Sequence, residues 1–252
     1  MGDLARVATE SSERVIVCGR GSGLAGAVAA VRGAGRMAAP RVIVVSEDDP
    51  ETDPCTVLDV DIVCGSPTSR EALESAGVVG ALGVLVVGGS GVAAGSCMDP
   101  ADELALRIAV AVRSLDRHVP ICVQSAQNRR RSVLEAAGAT LVVSAETVGA
   151  RLLAQSILDP GSSRVYRRLL GAGRDRTGVF AVTAPDYLEG VGFGDAQRVL
   201  VSSGTCLLGW RSQSGPLEVN PDPAARIPEE ALLYLVAGCE SLALEAVKGA
   251  AR

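Results

Sequence analysis

The apolar positions of this chain fall into short continuous runs separated by longer stretches where polar residues recur. Arg14-Val-Ile-Val-Cys18, Arg41-Val-Ile-Val-Val45, Val60-Asp-Ile-Val-Cys64, Val84-Leu-Val-Val87, Pro120-Ile-Cys-Val123 and Thr140-Leu-Val-Val143 are short and rich in β-branched residues. Runs of this kind predict strands buried on both faces. Between them the spacing predicts helices over 24–36, from Thr68 to about Gly77, and over 99–115, 130–137 and 147–158. Asp159-Pro160-Gly161 stops the last of these. Thr68-Ser-Arg-Glu71 has the spacing of a capping box, in which a hydroxyl and a carboxylate satisfy free amides at a helix start. Six strands alternating with helices predict a doubly wound α/β domain with a parallel sheet.

After this the pattern changes. Val179-Phe-Ala-Val-Thr183, Thr205-Cys-Leu-Leu-Gly-Trp210, Pro216-Leu-Glu-Val219 and Leu232-Leu-Tyr-Leu-Val-Ala237 are strand-like, with one short helix over about 194–202. Asn220-Pro-Asp-Pro223 reads as a turn, and the Gly- and Arg-rich stretch 171–178 as a linker. A second, smaller α+β domain follows from this. The first dozen residues read as a polar arm without the apolar core of a signal peptide.

Composition narrows the function classes. Hydrophobic residues are 48% of the 252 and charged residues 21%, enough for a packed core. Aromatics are 2% and the net charge is −5, which argues against a nucleic-acid binder. No apolar run approaches the ~20 residues of a membrane-spanning helix. The seven cysteines contain no C-x-x-C pair and there is one histidine, His118, so neither a zinc site nor a disulfide framework is expected. Cys18, Cys64, Cys122 and Cys206 lie in apolar runs, where cysteine behaves as a small hydrophobe.

The sharpest motif is Cys18-Gly19-Arg-Gly21-Ser-Gly23-Leu-Ala-Gly26, directly after the first strand. Glycines there let the backbone approach a diphosphate, and the next helix offers free amides and a favourable dipole, as in a Rossmann-like domain. Two registers fit. Counted from Gly19 the third glycine is replaced by Leu24; counted from Gly21 it is Gly26, with a longer loop. A ribose contact calls for an acid at the end of the second strand, where the chain reads Val45-Ser46-Glu47. The same residues also fit a glycine turn with an empty cleft. His118 falls in the loop entering the fifth strand, away from the ligand end of such a sheet, so the sequence argues against catalysis. Arg129-Arg-Arg131 reads as a solvated helix start.

The ordered set of motifs resembles the RCK domains, also called KTN or TrkA-type domains, over residues 13–238. Val15-Ile-Val-Cys-Gly-Arg-Gly21 resembles their first strand and glycine loop, and Val63-Cys-Gly-Ser-Pro-Thr68 their H-G-D-P-T segment. Leu134-Glu-Ala-Ala-Gly-Ala-Thr-Leu-Val-Val-Ser144 resembles the run closing the sheet, and Gly149-Ala-Arg-Leu-Leu-Ala-Gln155 the crossover helix. The lengthened loop after Val87 is similar to that of the Castor and Pollux branch.

The resemblance implies an arm over 1–12, a Rossmann-like N-terminal domain over 13–144, crossover helices and linker over 145–173, and an α+β C-terminal subdomain over 174–252. It implies a cytoplasmic, non-enzymatic gating domain of a potassium channel or transporter, at the inner face of the membrane, working as a homodimer up to a homo-octameric ring. The pore would be a partner subunit or a further part of the natural chain. The implied ligand is NAD(H) or an adenine nucleotide, held by Gly19, Arg20, Gly21, Ser22, Gly23, Ser46, Glu47, Ser66, Thr68 and Gly88. Calcium held as in the archaeal channel is not expected, because Val87, Gln124 and Ala126 stand where that site has acids. A small NAD(P)-dependent oxidoreductase is the alternative function, and a scaffold subunit with an empty cleft a third.

Overall fold

The computed structural model describes residues 14–21, 23–34, 40–47, 55, 60–88, 100–126, 130–170, 177–213 and 215–249. The chain forms two compact units. One is built from 14–32 and 40–160, the other chiefly from 161–249.

The first unit runs β1 (Arg14–Gly19), α1 (Gly23–Arg32), β2 (Arg41–Ser46), β3 (Asp61–Cys64), α2 (Arg70–Ser75), β4 (Gly83–Val87), α3 (Pro100–Leu115), β5 (Ile121–Ser125), α4 (Arg131–Ala136), β6 (Leu141–Ser144) and α5 (Ala145–Leu158). Its six strands are parallel in the order β3-β2-β1-β4-β5-β6. The alternation of strand side chains divides the core. Ile16, Cys18, Ile43, Val45, Val84 and Val86 pack on one face with Leu73, Ile108, Val112 and Leu134 of the helices. Val17, Val42 and Val44 pack on the other with Leu24 and Val28 of α1. Apolar residues on both faces are why these strands read as unbroken runs.

The capping box does not form. Ser69, not Thr68, is the N-cap residue of α2 and makes no side-chain cap bond. The Thr68 hydroxyl is instead 2.9 Å from that of Ser66. At its other end α2 closes on Gly77 (φ 71°), with Gly77 N–H donating to Glu74 O and Val78 N–H to Leu73 O.

Two arginines and one aspartate fasten the sheet's N-terminal edge. Arg14 Nε donates to the Gly77 carbonyl at 2.6 Å, and Arg113 Nε and Nη1 donate to the carbonyls of Gly138 and Val119 at 3.0 and 2.6 Å. Asp116 accepts the backbone N–H groups of His118, Val119 and Gly80 at 2.8, 3.1 and 3.2 Å. Burial raises the Asp116 carboxyl pKa, but the donors from His118, Gly80 and Val119 and the charge of His118 outweigh it. The net position is below the ordinary carboxylate value. A group depressed in the native state stabilises fully above its unfolded pKa, about 3.9, and loses that contribution as pH falls towards the native value. Asp116→Asn is therefore expected to be less stable than wild type in urea at pH 7, with the gap narrowing below about pH 4. A gap constant from pH 7 to 3 would show that the charge of Asp116 contributes nothing.

The second unit runs α6 (Ser162–Leu169), β7 (Gly178–Thr183), a 3₁₀ turn (Asp186–Leu188), α7 (Phe193–Ser202), β8 (Cys206–Arg211), β9 (Leu217–Val219), β10 (Leu232–Ala237) and α8 (Glu240–Gly249). Its strands form an antiparallel sheet in the order β7-β10-β8-β9. Strict alternation of burial along β10 shows one covered face. Phe180, Phe193, Leu200, Leu207, Trp210, Leu233, Leu235 and Val247 make the core beneath it. The strands and α7 follow the sequence pattern closely; α8 was not expected from it.

Candidate functional site: the crevice at the sheet switch point

Strand order reverses between β1 and β4, so their C-terminal ends border the crevice where open α/β sheets hold ligands. Gly19 ends β1 with φ 155°. A Cβ added there would lie 2.2 Å from the carbonyl oxygen of Val87 at the end of β4, and one on Gly23 would lie 2.9 Å from Val87 Cγ1. The loop backbone is thus pressed onto β4. Gly21 (φ 78°) faces open space, and Leu24 N–H closes the turn onto the Gly21 carbonyl at 3.1 Å. Gly26 lies in α1 with nothing near its Cβ position, so the close-packing glycine is Gly23. In the register counted from Gly19 the first glycine is the one pressed on β4, and its third place is taken by the buried Leu24. No acid occupies the first turn of α1, so nothing there competes with an anion for its amides.

The other expected site residues fall along the same edge. Ser46 ends β2, fully buried, and its carbonyl accepts Gly65 N–H at 2.9 Å. Glu47 follows and forms an ion pair with Arg20 of the glycine loop. Ser66 and Thr68 come just after β3, with their hydroxyls paired to each other. Gly88 follows β4 in close packing, where a Cβ would stand 3.1 Å from Ala101 Cβ and 3.3 Å from Gln124 O. Ser22, the loop from 89 to 99 and Arg129 lie outside the described residues. Arg131 pairs with Glu135 one turn along α4 at 2.7 Å, as a solvated helix start would.

One residue at this edge was missed by the sequence reading. Val87 does end β4, Gln124 lies in β5, and Ala126 follows it, all neutral. Yet Asp102, in the first turn of α3, is 0% exposed and points at the end of β5. Its Oδ1 accepts Ala126 N–H at 2.8 Å, while Oδ2 has no hydrogen-bond partner among the described residues. Searching strand ends for acids could not find an acid delivered by a helix.

His118 lies between α3 and β5, at the N-terminal edge and so opposite the crevice. Cys18 is buried and its thiol is pushed up to about 12 by desolvation, which keeps it protonated and inert. Two of the cysteines expected to be apolar filling, Cys64 and Cys206, are exposed instead. Cys64 ends the edge strand β3, and Cys206 opens β8. Among the described residues, no group of three His, Cys, Asp or Glu side chains could hold a metal, and no helix is long and apolar enough to cross a membrane.

The family model for the TrkA-N domain matches residues 15–145, about half of the chain and nearly all of the first unit. No curated protein matches the chain. Among solved structures, the human SLO3 gating ring is similar at 17% identity and TM-score 0.67, over 93% of this chain and 46% of that one. The GsuK RCK domain is similar at 20% identity and TM-score 0.45, over 97% and 48%. The GsuK channel bound to NAD has 20% identity and TM-score 0.46, over 97% and 40%. The chain therefore spans less than half the length of each of these.

Proposed function

The chain belongs to the TrkA-N domain family, and from that premise we propose that it is a nucleotide-sensing gating module of a potassium channel or transporter. The observation that carries this reading is the pressing of Gly19 and Gly23 onto Val87 at the switch point, with Gly21 facing open space and no acid in the first turn of α1. Backbone amides so arranged suit a diphosphate, and NAD(H) or an adenine nucleotide is the ligand class proposed. The second unit supports the reading, since the fold shared with a gating ring extends over both units. A non-enzymatic role is supported by where the titratable groups lie: His118 opposite the crevice, Cys18 sealed in the core. Ligand binding would act by favouring one of two arrangements of an assembly, which requires different affinity for the two.

The module is proposed to act as a homodimer or larger ring beside a membrane protein, at the cytoplasmic face. Support comes from α5, of which no residue is buried: Leu153 is 71% and Ile157 80% exposed, one turn apart on one face. The edge strand β6 next to it exposes Leu141 and Val143. Leu153→Glu with Ile157→Glu is expected to convert the assembly to monomer in light scattering, with the far-ultraviolet circular dichroism unchanged. A wild type that is monomeric at high concentration would overturn this arrangement. The direct test of ligand sensing is a thermal-shift panel of NAD(H), NADP(H), ATP, ADP, AMP and cyclic dinucleotides. A ligand that binds only the folded state must raise its stability. No shift with any of them would overturn the sensor reading.

A further inference from the structure

Leu233 and Leu235 of β10 belong to the core shared with α7 and α8, so Leu232, Tyr234 and Val236 face the other way. The strand register extends that open face across the sheet. The row level with Leu232 contains Thr183, Arg211 and Leu217. The rows level with Tyr234 and Val236 carry no charged side chain and include the exposed Val219 and Val179. An antiparallel sheet covered on one face ordinarily shows water a polar one. This face is chiefly apolar instead, about 14 Å across its four strands, which marks a place of interaction rather than a solvated surface. Arg211 is the one charge in these rows. It is half-buried, and its Nε is buried with no hydrogen-bond partner among the described residues. Beside it in the row stand Leu232 and Leu217, which cannot accept. A buried donor left unpaired is costly, and a guanidinium cannot shed its charge.

The face thus combines an apolar bed with one unanswered cation and no acid. A second copy docked by the same face does not complement it. Such a contact repeats one patch on both sides, so it would add a second Arg211 and still no carboxylate. We propose that this open face is a binding site for a long-chain carboxylate. Arg211 turns outward and holds the head group in two parallel hydrogen bonds. The apolar chain lies over the rows of Tyr234 and Val236, where its burial supplies the remaining attraction. This is a second site with a second ligand class, separate from the nucleotide crevice of the first unit.

The test titrates the full chain with anilinonaphthalene sulfonate, an apolar anion whose emission rises on binding, and then displaces it with dodecanoate or with uncharged dodecanol. Wild type is expected to bind the probe and to release it to dodecanoate more readily than to dodecanol. Arg211→Gln should weaken dodecanoate by about tenfold to a hundredfold, the worth of a hydrogen bond to a charged group, and bring it level with dodecanol. Leu217→Asp sets a carboxylate directly opposite Arg211. It should block both anions and raise the melting temperature, because the chain then answers its own cation. Unchanged emission of Trp210 in each variant confirms that the second unit is folded. A wild type that binds neither anion overturns the proposal. So does binding that survives either substitution, as binding in the first unit's crevice would. A face closed by a second copy overturns it as well: wild type would be dimeric in light scattering, bind neither anion and dissociate on Leu217→Asp. None of these outcomes touches nucleotide binding in the first unit.

Discussion

Gly19→Ala is expected to cost the first unit about 3 kcal/mol or more, at the upper end of what overpacking does. The new methyl group would stand 2.2 Å from the Val87 carbonyl oxygen and 3.1 Å from its carbon. A flexible side chain could yield, but this neighbour is the backbone of β4, the strand paired with β1 at the centre of the sheet. Moving it would disturb the β4–β5 ladder as well. The residue would also have to hold φ near 155°, which side chains rarely adopt. In urea, followed by far-ultraviolet circular dichroism, the loss appears as a midpoint lowered by about 1–1.5 M with an unchanged slope. Two neighbours serve as controls. Gly21→Ala meets no atom within 4 Å and carries only the left-handed backbone penalty, about 1–2 kcal/mol. Gly26→Ala sits in open space inside α1 and is expected to stabilise by about 0.5–1 kcal/mol. Equal effects at Gly19 and Gly26 would mean that the loop is not packed against β4.

These three glycines also show where the sequence stops being informative. That a glycine loop follows β1 is legible locally, because strand and loop are adjacent in the chain. Which glycine touches the sheet is not, because the touching atom belongs to Val87, far along the chain. The six buried strands are legible for the same local reason: residues covered on both faces leave no polar interruption. Asp102 is not legible as a crevice residue. An acid in a helix's first turn has an ordinary explanation in the helix dipole, and only the packing of α3 on β5 turns it to Ala126. The capping box did not form because the helix starts one residue later, at Ser69, and the Thr68 hydroxyl pairs with Ser66, which the pattern does not encode. The place of the glycine loop in the fold was thus readable, whereas the pairing of Arg20 with Glu47 needed the register of two strands.

Phe193→Ala is expected to remove a large part of the second unit's stability, about 3–5 kcal/mol against the 5–15 kcal/mol of an ordinary domain. Phe193 opens α7 and is fully buried, and its ring meets that of Trp210 edge-on at 5.6 Å and 65°. With only two phenylalanines and one tryptophan in the chain, this pair supplies bulk that its Val, Leu and Ala neighbours cannot replace by relaxing inward. The backbone holds the site in place too. Phe193 N–H donates to Ala225 O and Gly194 N–H to Pro223 O, so the start of α7 cannot slide to fill the cavity. Because Trp210 is the chain's one tryptophan and is 2% exposed in this core, its fluorescence reports the second unit alone. The variant should show the emission of a solvent-exposed indole at urea concentrations where wild type still emits as a buried one. Phe193→Leu, which leaves a smaller void, should fall between the two, losing chiefly the ring–ring contribution of about 0.5–1.5 kcal/mol. An alanine variant with a wild-type midpoint would place the unit's stability elsewhere than in this aromatic pair.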